Sequence, residues 1–414
     1  MKFDELYKKL ALAVVNGDRE KAVAAAKMDG ADAGQLDCLL NPDAHAPVWR
    51  LENCTCRPEE AGCTDACFFG AIERDEKGNV TINAAKCVGC EECIRRCKEK
   101  KLTESRDILP AMAAVRASDA PVYALIAPAF VSQFSPDVTP GKLRGAFKKL
   151  GFAGMVEVAV FADILTLKEA LEFDKNVVDN KDFHLTSCCC PIWIAMIRKL
   201  YGTLVPHVPG AVSPMIACAR TVKKLHPDAK TVFVGPCIAK KSEAKEPDLK
   251  GDVDFVLTFA EMRDIFDFAN VDPAVMPDDE KEHSSRAGRI YARAGGVSEA
   301  VCSTVKKLSP SREIDVRPRC AAGVAQCKAM IDDLLSGKCS ENFFEGMGCI
   351  GGCVGGPKAL VDRETGRANV DAYGDSSPYP TPADNPYVIE LLSRLGLNTV
   401  ESLLEDNELF TRKF

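Results

Sequence analysis

Two thiols, Cys349 and Cys353, stand in the glycine-rich stretch Glu345 to Pro357, E-G-M-G-C-I-G-G-C-V-G-G-P. Cysteine thiolate is the soft ligand that iron–sulfur clusters use. Gly351, Gly352, Gly355 and Gly356 would let the chain adopt positive φ and pass close to a bulky inorganic body. The same residues would equally make a turn with two buried thiols, so further ligands must come from elsewhere. The chain holds 20 cysteines in 414 residues, far more than an ordinary cytosolic protein of this size. Met1 to Leu10 carries alternating charge, unlike a secretory leader, so a cytoplasmic, reducing setting is expected. There, clustered cysteines serve as metal ligands more often than as disulfides.

A second concentration of thiols comprises Cys54, Cys56, Cys63 and Cys67, then Cys87, Cys90, Cys93 and Cys97. The two groups form a pseudo-repeat around a segment that reads as a hairpin turning at Lys77-Gly78-Asn79. The second group, C-V-G-C-E-E-C-I-R-R-C, has the C-x2-C-x2-C-x3-C spacing of a bacterial ferredoxin, whose fourth cysteine crosses to the other cluster. That spacing predicts Cys54, Cys56, Cys63 and Cys97 around one 4Fe4S cubane and Cys87, Cys90, Cys93 and Cys67 around another. Two clusters in one small domain would make an electron relay. The first group departs from the ferredoxin pattern, with one residue between Cys54 and Cys56 and six before Cys63, and neither Cys67 nor Cys97 is followed by proline. Zinc is the alternative occupant, although zinc ribbons usually space their cysteine pairs more widely.

The elements that must position these groups follow from periodicity. Phe3 to Val15 and Arg19 to Met28 read as helices, with apolar residues of the first at helical spacing. Beyond the charged stretch Lys98 to Asp107, short apolar runs at 122–126, 155–160, 184–187, 231–234 and 255–258 fit buried strands, with amphipathic helices between them. This alternation predicts α/β layers with mostly parallel strands. Cysteines recur where such strands end, which is where open α/β sheets bind ligands. One place is H-L-T-S-C-C-C-P-I-W, where Pro191 suits a first helical turn and the helix dipole would favour thiolate at Cys188 to Cys190. A second is V-F-V-G-P-C-I-A-K-K-S-E, with Cys237, Lys240 and Glu243. The third is the Gly-rich stretch itself.

The longest apolar run, Pro121 to Val131, is too short to span a bilayer, which needs about 20 residues, so no membrane partner is expected. A net charge of −7 argues against a nucleic-acid partner. Cys38, Cys218, Cys302, Cys320, Cys327 and Cys339 are expected to be structural.

T-S-C-C-C-P-I-W, G-P-C-I-A-K-K-S-E and E-G-M-G-C-I-G-G-C-V-G-G together resemble the three ordered signature motifs of iron–iron (FeFe) hydrogenases, and D-V-D-F-V-L-T and A-G-G-V-S-E-A fit as well. The resemblance runs from about Pro121 to Pro357. The tripled cysteine and the tail Y-P-T-P-A-D-N-P resemble a branch apart from the best-known enzymes. The resemblance implies an α/β hydrogenase catalytic domain, mostly parallel sheets with flanking helices, preceded by a small ferredoxin-like two-cluster domain. The expected division is an N-terminal helical segment (1–50), the ferredoxin-like domain (51–107), the catalytic domain (108–360) and a partly helical C-terminal extension (361–414).

By the same resemblance, Cys190, Cys237, Cys349 and Cys353 hold the cubane of an H-cluster. Cys353 also bridges to a two-iron subcluster carrying CO, cyanide and an azadithiolate. Anchoring on Pro-x-Trp selects Cys190 as ligand and makes Cys189 the proton-shuttling thiol, whereas anchoring on Thr-Ser selects Cys189 as ligand. Lys240 matches a lysine contacting a cyanide ligand, and Pro236 and Met347 match residues beside the two-iron site. F-A-D-I-L-T-L-K-E-A-L-E resembles a segment supplying two proton-relay carboxylates, matched by Glu169 and Glu172.

Three departures stand out. Pro209 falls where the family has a relay serine, Asn176 where it has an arginine, and Gly235 where it commonly has a methionine, so space near the bridging ligand should open. Cys188 has no counterpart and is expected to tune or protect the cluster.

The implied function is reversible reduction of protons to H2, with ferredoxin or a similar small electron carrier as redox partner and hydrogenase maturation proteins supplying the two-iron group. No G-x-G-x-x-G nucleotide fingerprint appears at a strand-to-helix turn. The other readings are a slow hydrogen-sensing homologue and a hydrogenase-like iron–sulfur assembly protein without the two-iron cofactor.

Overall fold

The computed structural model describes residues 1–57, 62–117, 119–186, 189–279, 281 and 283–414. Cys188 lies outside the described residues, as does Ser187 at the end of the expected 184–187 strand.

Eleven strands are found among these residues: β1 (Val48–Arg50), β2 (Ile72–Arg74), β3 (Val80–Ile82), β4 (Leu102–Glu104), β5 (Val122–Ile126), β6 (Gly154–Glu157), β7 (His184–Leu185), β8 (Lys230–Gly235), β9 (Phe255–Thr258), β10 (Pro318–Ala322) and β11 (Phe343–Met347). Four of them form a parallel sheet in the order β6-β5-β8-β9, and three form a second in the order β10-β11-β7, also parallel. Helices cover the strands, giving the α/β architecture that the alternating apolar runs predict. β2 and β3 pair antiparallel as the expected hairpin, with Gly78 in the left-handed region at its turn. β1 pairs antiparallel with β4, which brackets the cysteine-rich segment from both ends.

The 155–160 run is a strand only to Glu157; Ala159 already opens the helix Ala159–Asn176. The apolar residues there are buried in either conformation, so hydrophobicity could not mark the switch. That helix is buried around most of its circumference, including Asp163, Thr166, Lys168 and Glu169. Its buried polar groups find partners on neighbouring segments. Asp163 accepts from the Ser285 backbone N–H at 2.6 Å and from that of Gly288 at 2.8 Å, and Lys168 Nζ donates to the Leu403 carbonyl at 2.9 Å. The last contact ties the C-terminal segment onto the core. At the other end, the helix Phe3–Val15 buries Phe3, Leu6, Leu10 and Val14, and its Tyr7 hydroxyl donates to Asp264 at 2.9 Å.

Three connections matter for chemistry. β7 leads into Cys189 and Cys190, β8 ends at Gly235 just before Cys237, and β11 ends at Met347 just before Cys349. The Gly-rich stretch therefore begins as a strand, which sequence periodicity did not indicate. All three lie at carboxyl ends of parallel strands, so the two sheets aim them at a common place.

Candidate metal centre

Cys190 is extended (φ −103°, ψ 108°) at the cap of the helix Pro191–Leu200, with Pro191 in its first turn. Its Sγ accepts a hydrogen bond from the Gly348 backbone N–H at 3.2 Å, which joins the first and third thiol-bearing stretches. Cys349 is near Cys237, Cys190 and Cys353, and Cys237 is near Cys190 and Cys353. The structure thus brings together Cys190, Cys237, Cys349 and Cys353 from three remote parts of the chain.

The approach is close because glycine permits it. Gly352 has φ +85°, and a Cβ there would lie 2.6 Å from the Ala294 nitrogen; a Cβ at Gly348 would meet Ile192 at 2.5 Å. Glu345 buttresses the same loop, accepting from the backbone N–H groups of Gly295 at 2.7 Å and Ser298 at 2.8 Å.

Burial pushes the Cys237 and Cys353 thiols up to about 12, and each also feels Cys190. Such thiols resist ionisation unless a cation compensates the charge. A cluster of iron ions does so, and four thiols converging from three loops match the four-thiolate ligand set of a cubane. Among the described residues, no three His, Cys, Asp or Glu side chains form a group that could hold a single metal ion.

Beside these thiols is a cavity lined by Cys189, Cys353, Lys240, Pro236, Phe233 and Tyr291, among other largely apolar residues. Lys240 is 7% exposed, and its Nζ donates to Glu243 at 2.6 Å. Burial alone would lower its pKa, but Glu243 and the thiols of Cys237 and Cys189 outweigh it and hold the ammonium charged. Glu243 thus pairs with Lys240. Cys189 behaves differently from the dipole expectation: burial, then Cys190 and Cys353, pushes its thiol well above the usual range. Loss of hydration outweighs the helix terminus there.

Pro236 lines the cavity, and its carbonyl accepts from the Lys358 backbone N–H at 3.1 Å. Met347 is buried at the end of β11. Gly235 does not simply leave an opening. A Cβ there would lie 2.7 Å from the Phe233 ring and 3.1 Å from Ala127 Cβ, so the aromatic ring takes up that volume.

Glu169 is buried, and its Oε1 lies 3.8 Å from His184 Nε2. Burial, then His207, pushes His184 down to about 3, so the contact is between a neutral imidazole and a carboxyl group and is not an ion pair. Glu172 lies 3.4 Å from Lys168 Nζ; burial nevertheless raises its carboxyl above the ordinary range. Sequence reasoning missed Tyr291 and His184. Tyr291 is buried in the cavity wall, near Glu169 and Cys189. His184 opens the stretch that carries the first cysteine motif, two residues before its Thr-Ser, whereas Tyr291 lies in none of the motifs.

The eight thiols between Cys54 and Cys97 gather around the hairpin in two groups. Cys63 is near Cys97 and Cys56, and Cys54 Sγ accepts from the Val80 backbone N–H at 3.5 Å. Cys93 is near Cys90, Cys87 and Cys67, and burial raises all three thiols of its C-x2-C-x2-C run. Cys90 is in turn near Cys349. Gly89, at φ +70°, sits against the backbone of Ile238 and Ala239, leaving no side chain between the second group and the Cys237 turn.

Of the other thiols, Cys218 and Cys327 are buried, Cys38, Cys302 and Cys339 partly so, and Cys320 is exposed.

Residues 120–357, more than half of the chain, match the family model described as iron only hydrogenase large subunit, C-terminal domain. The chain belongs to the iron-only hydrogenase family. It is 31% identical over 261 residues to the periplasmic Fe hydrogenase large subunit of Nitratidesulfovibrio vulgaris, a match covering 53% of this chain and 62% of that protein. It therefore spans less than two thirds of that hydrogenase's length. It is also 25% identical over 349 residues to cytosolic iron-sulfur assembly component 3 of Pongo abelii, covering 69% of this chain and 73% of that one. The hydrogenase fold appears in the solved structure of an apo FeFe hydrogenase from Chlamydomonas reinhardtii, at a TM-score of 0.61 and 22% identity, over 75% of this chain and 98% of that one. Among the described residues, no helix is long and apolar enough to cross a membrane.

Proposed function

We propose that this protein is a hydrogenase catalysing 2H⁺ + 2e⁻ ⇌ H₂ in both directions. Cys190, Cys237, Cys349 and Cys353 would hold a 4Fe4S cubane, with Cys353 also bridging to a two-iron subcluster in the adjoining cavity. The observation that carries this reading is that Cys189 and Lys240 line that cavity together with Cys353. Neither is needed to ligate a cubane. When bound, the two-iron group would supply the redox chemistry that joins protons and electrons.

The protein's own part is to position, to exclude water and to move protons. Lys240, kept charged by Glu243, offers a cationic donor to an anionic ligand in a desolvated site. Met215, Pro236 and Phe233 wall the cavity with apolar surface, which strengthens that electrostatic contact. Cys189 delivers protons; burial favours its protonated form, so the thiol gives up a proton as another replaces it.

Cys54, Cys56, Cys63 and Cys97 would hold one further 4Fe4S cluster and Cys67, Cys87, Cys90 and Cys93 another. The proximity of Cys90 to Cys349 supports electron entry through the second. The segments 1–50, 51–107, 108–360 and 361–414 are the corresponding units. A ferredoxin or similar small carrier is the expected partner, maturation proteins supply the two-iron group, and the setting is cytoplasmic.

The test is anaerobic infrared spectroscopy of protein matured with the two-iron group, paired with an H2 assay in both directions. Terminal CO and CN bands with turnover are expected. The likeness to an iron-sulfur assembly component favours a second reading, in which the cubane is present without those bands and without turnover. That result would overturn the hydrogenase reading.

A further inference from the structure

We propose that protons reach Cys189 from a surface pocket through His184 to Glu169 and then through the Tyr291 hydroxyl, a route that replaces the side chains lost at Pro209 and Asn176. The proposal rests on the hydrogenase reading above.

The surface pocket is lined by Glu172, His184, His207, Asn176 and Pro209, among others. Proline has no hydroxyl and asparagine no charge, so neither residue can replace what its position lacks. His184 can. It is 3% exposed, its Nε2 is buried without a hydrogen-bond partner among the described residues, and that atom faces Glu169 Oε1 at 3.8 Å. A buried ring nitrogen without a partner is costly, and most such groups in folded proteins are satisfied. The gap exceeds a hydrogen bond, so a small ring rotation or one water closes it.

The ring is oriented by stacking on Phe343, with centroids 5.8 Å apart and planes 7° from parallel, and by the edge of Phe173. The titratable groups facing it are Glu169 and Glu172 from the helix Ala159–Asn176 and His207 from the turn Gly202–His207, with Lys175, Lys181 and Asp182 at the pocket rim. Beyond Glu169, Tyr291 contacts Thr166, three residues before Glu169 on the same helix, and lines the cavity together with Cys189. The Thr166 hydroxyl lies 2.8 Å from Tyr291 Oη and 2.7 Å from the Ala162 carbonyl, and its single proton serves one of the two.

Each hop moves one proton and no electron. The imidazole forms an N–H bond at one nitrogen while breaking one at the other, and Glu169 gains a proton on one carboxyl oxygen and releases one. Tyr291 breaks its O–H bond to re-form the Cys189 S–H and is refilled from Glu169. Because burial keeps His184 neutral, concerted passage avoids accumulating the imidazolium.

The test uses full-length protein carrying its cubanes but lacking the two-iron group. The infrared S–H stretch of Cys189 is assigned by its loss in Cys189→Ala, and its conversion to S–D is followed after transfer to D2O. His184→Phe and Tyr291→Phe should each slow conversion about 10-fold or more, and added imidazole should restore the rate in His184→Ala. In matured protein the same variants should lose turnover while keeping the CO and CN bands. His184→Gln gives the same readout if His184→Phe does not fold. Exchange at the wild-type rate in the His184 and Tyr291 variants overturns the route, as does no response of His184→Ala to imidazole. Absence of H2 turnover in matured wild-type protein sinks the hydrogenase reading instead and leaves the exchange result standing.

Discussion

The backbone N–H of Gly348 donates to Cys190 Sγ at 3.2 Å, across 158 residues of chain. An N–H directed at sulfur is the kind of contact that suits the ligand role proposed for Cys190. It also separates the roles of two adjacent cysteines, because Cys190 is close to the other three gathered thiols while Cys189 lines the cavity.

Replacing each of the two should therefore have different consequences. Cys190→Ala should lose about one cubane's worth of iron and its paramagnetic signal. Cys189→Ser should keep the cubane and the matured CO and CN bands while turnover falls about 100-fold or more. Iron analysis, electron paramagnetic resonance and infrared spectra check both. Full activity in Cys189→Ser would remove the thiol from the proton path.

Gly346 on β11 is a packing constraint, since a Cβ there would lie 2.1 Å from the Trp193 ring. Both that ring and the strand are buried. Gly346→Ala should destabilise by about 1–3 kcal/mol, as overpacking does, seen as a lower thermal midpoint. An unchanged midpoint would mean that the helix Pro191–Leu200 moves freely against β11.

The Lys240–Glu243 pair gives a prediction at alkaline pH. Lys240 has its pKa raised in the folded protein, so its contribution to stability is complete below the ordinary value of 10.5 and is lost as pH rises through the higher folded value. Glu243→Gln leaves a buried ammonium without its partner and should cost about 3–5 kcal/mol. Thermal melts of protein lacking the two-iron group should show stability declining from a lower pH than in wild type.

Asp163 supplies a slope of the same sign at acid pH. Burial raises its carboxyl from 3.8 to about 6, against the hydrogen bonds from Ser285 and Gly288. The native state then binds more protons than the unfolded chain between those values, so this group's contribution to stability rises as pH falls from about 6 toward 3.8. Over that range the effect is on the order of 2–3 kcal/mol. Asp163→Asn should remove this slope from the difference between its stability–pH curve and that of wild type. An unaltered slope would assign the acid-side dependence to other groups.

Much of the local structure is legible in the sequence. The helices Phe3–Val15 and Arg19–Met28 and the strands Val122–Ile126 and Phe255–Thr258 begin and end where the expected runs do. Periodicity and end signals are local, so a short window contains them. The sheet β10-β11-β7 is different. Its β7 lies within the expected 184–187 run, but Pro318–Ala322 carries little strand pattern, and parallel pairing with β11 makes it a strand. Such pairing is set by contacts remote in sequence, which no window holds.

By itself, the sequence determined the chemistry available: thiol groups at cluster-forming spacing, a lysine beside one of them and a Gly-rich stretch able to approach metal. The tertiary structure alone decided how those groups face one another. It turned Cys190 toward Gly348, put the Phe233 ring in the volume beside Gly235, and brought Tyr291 and His184 near Glu169. Residue types and spacing fix what a side chain can do, but which side chains meet depends on how separate strands and helices pack, and that packing is nonlocal.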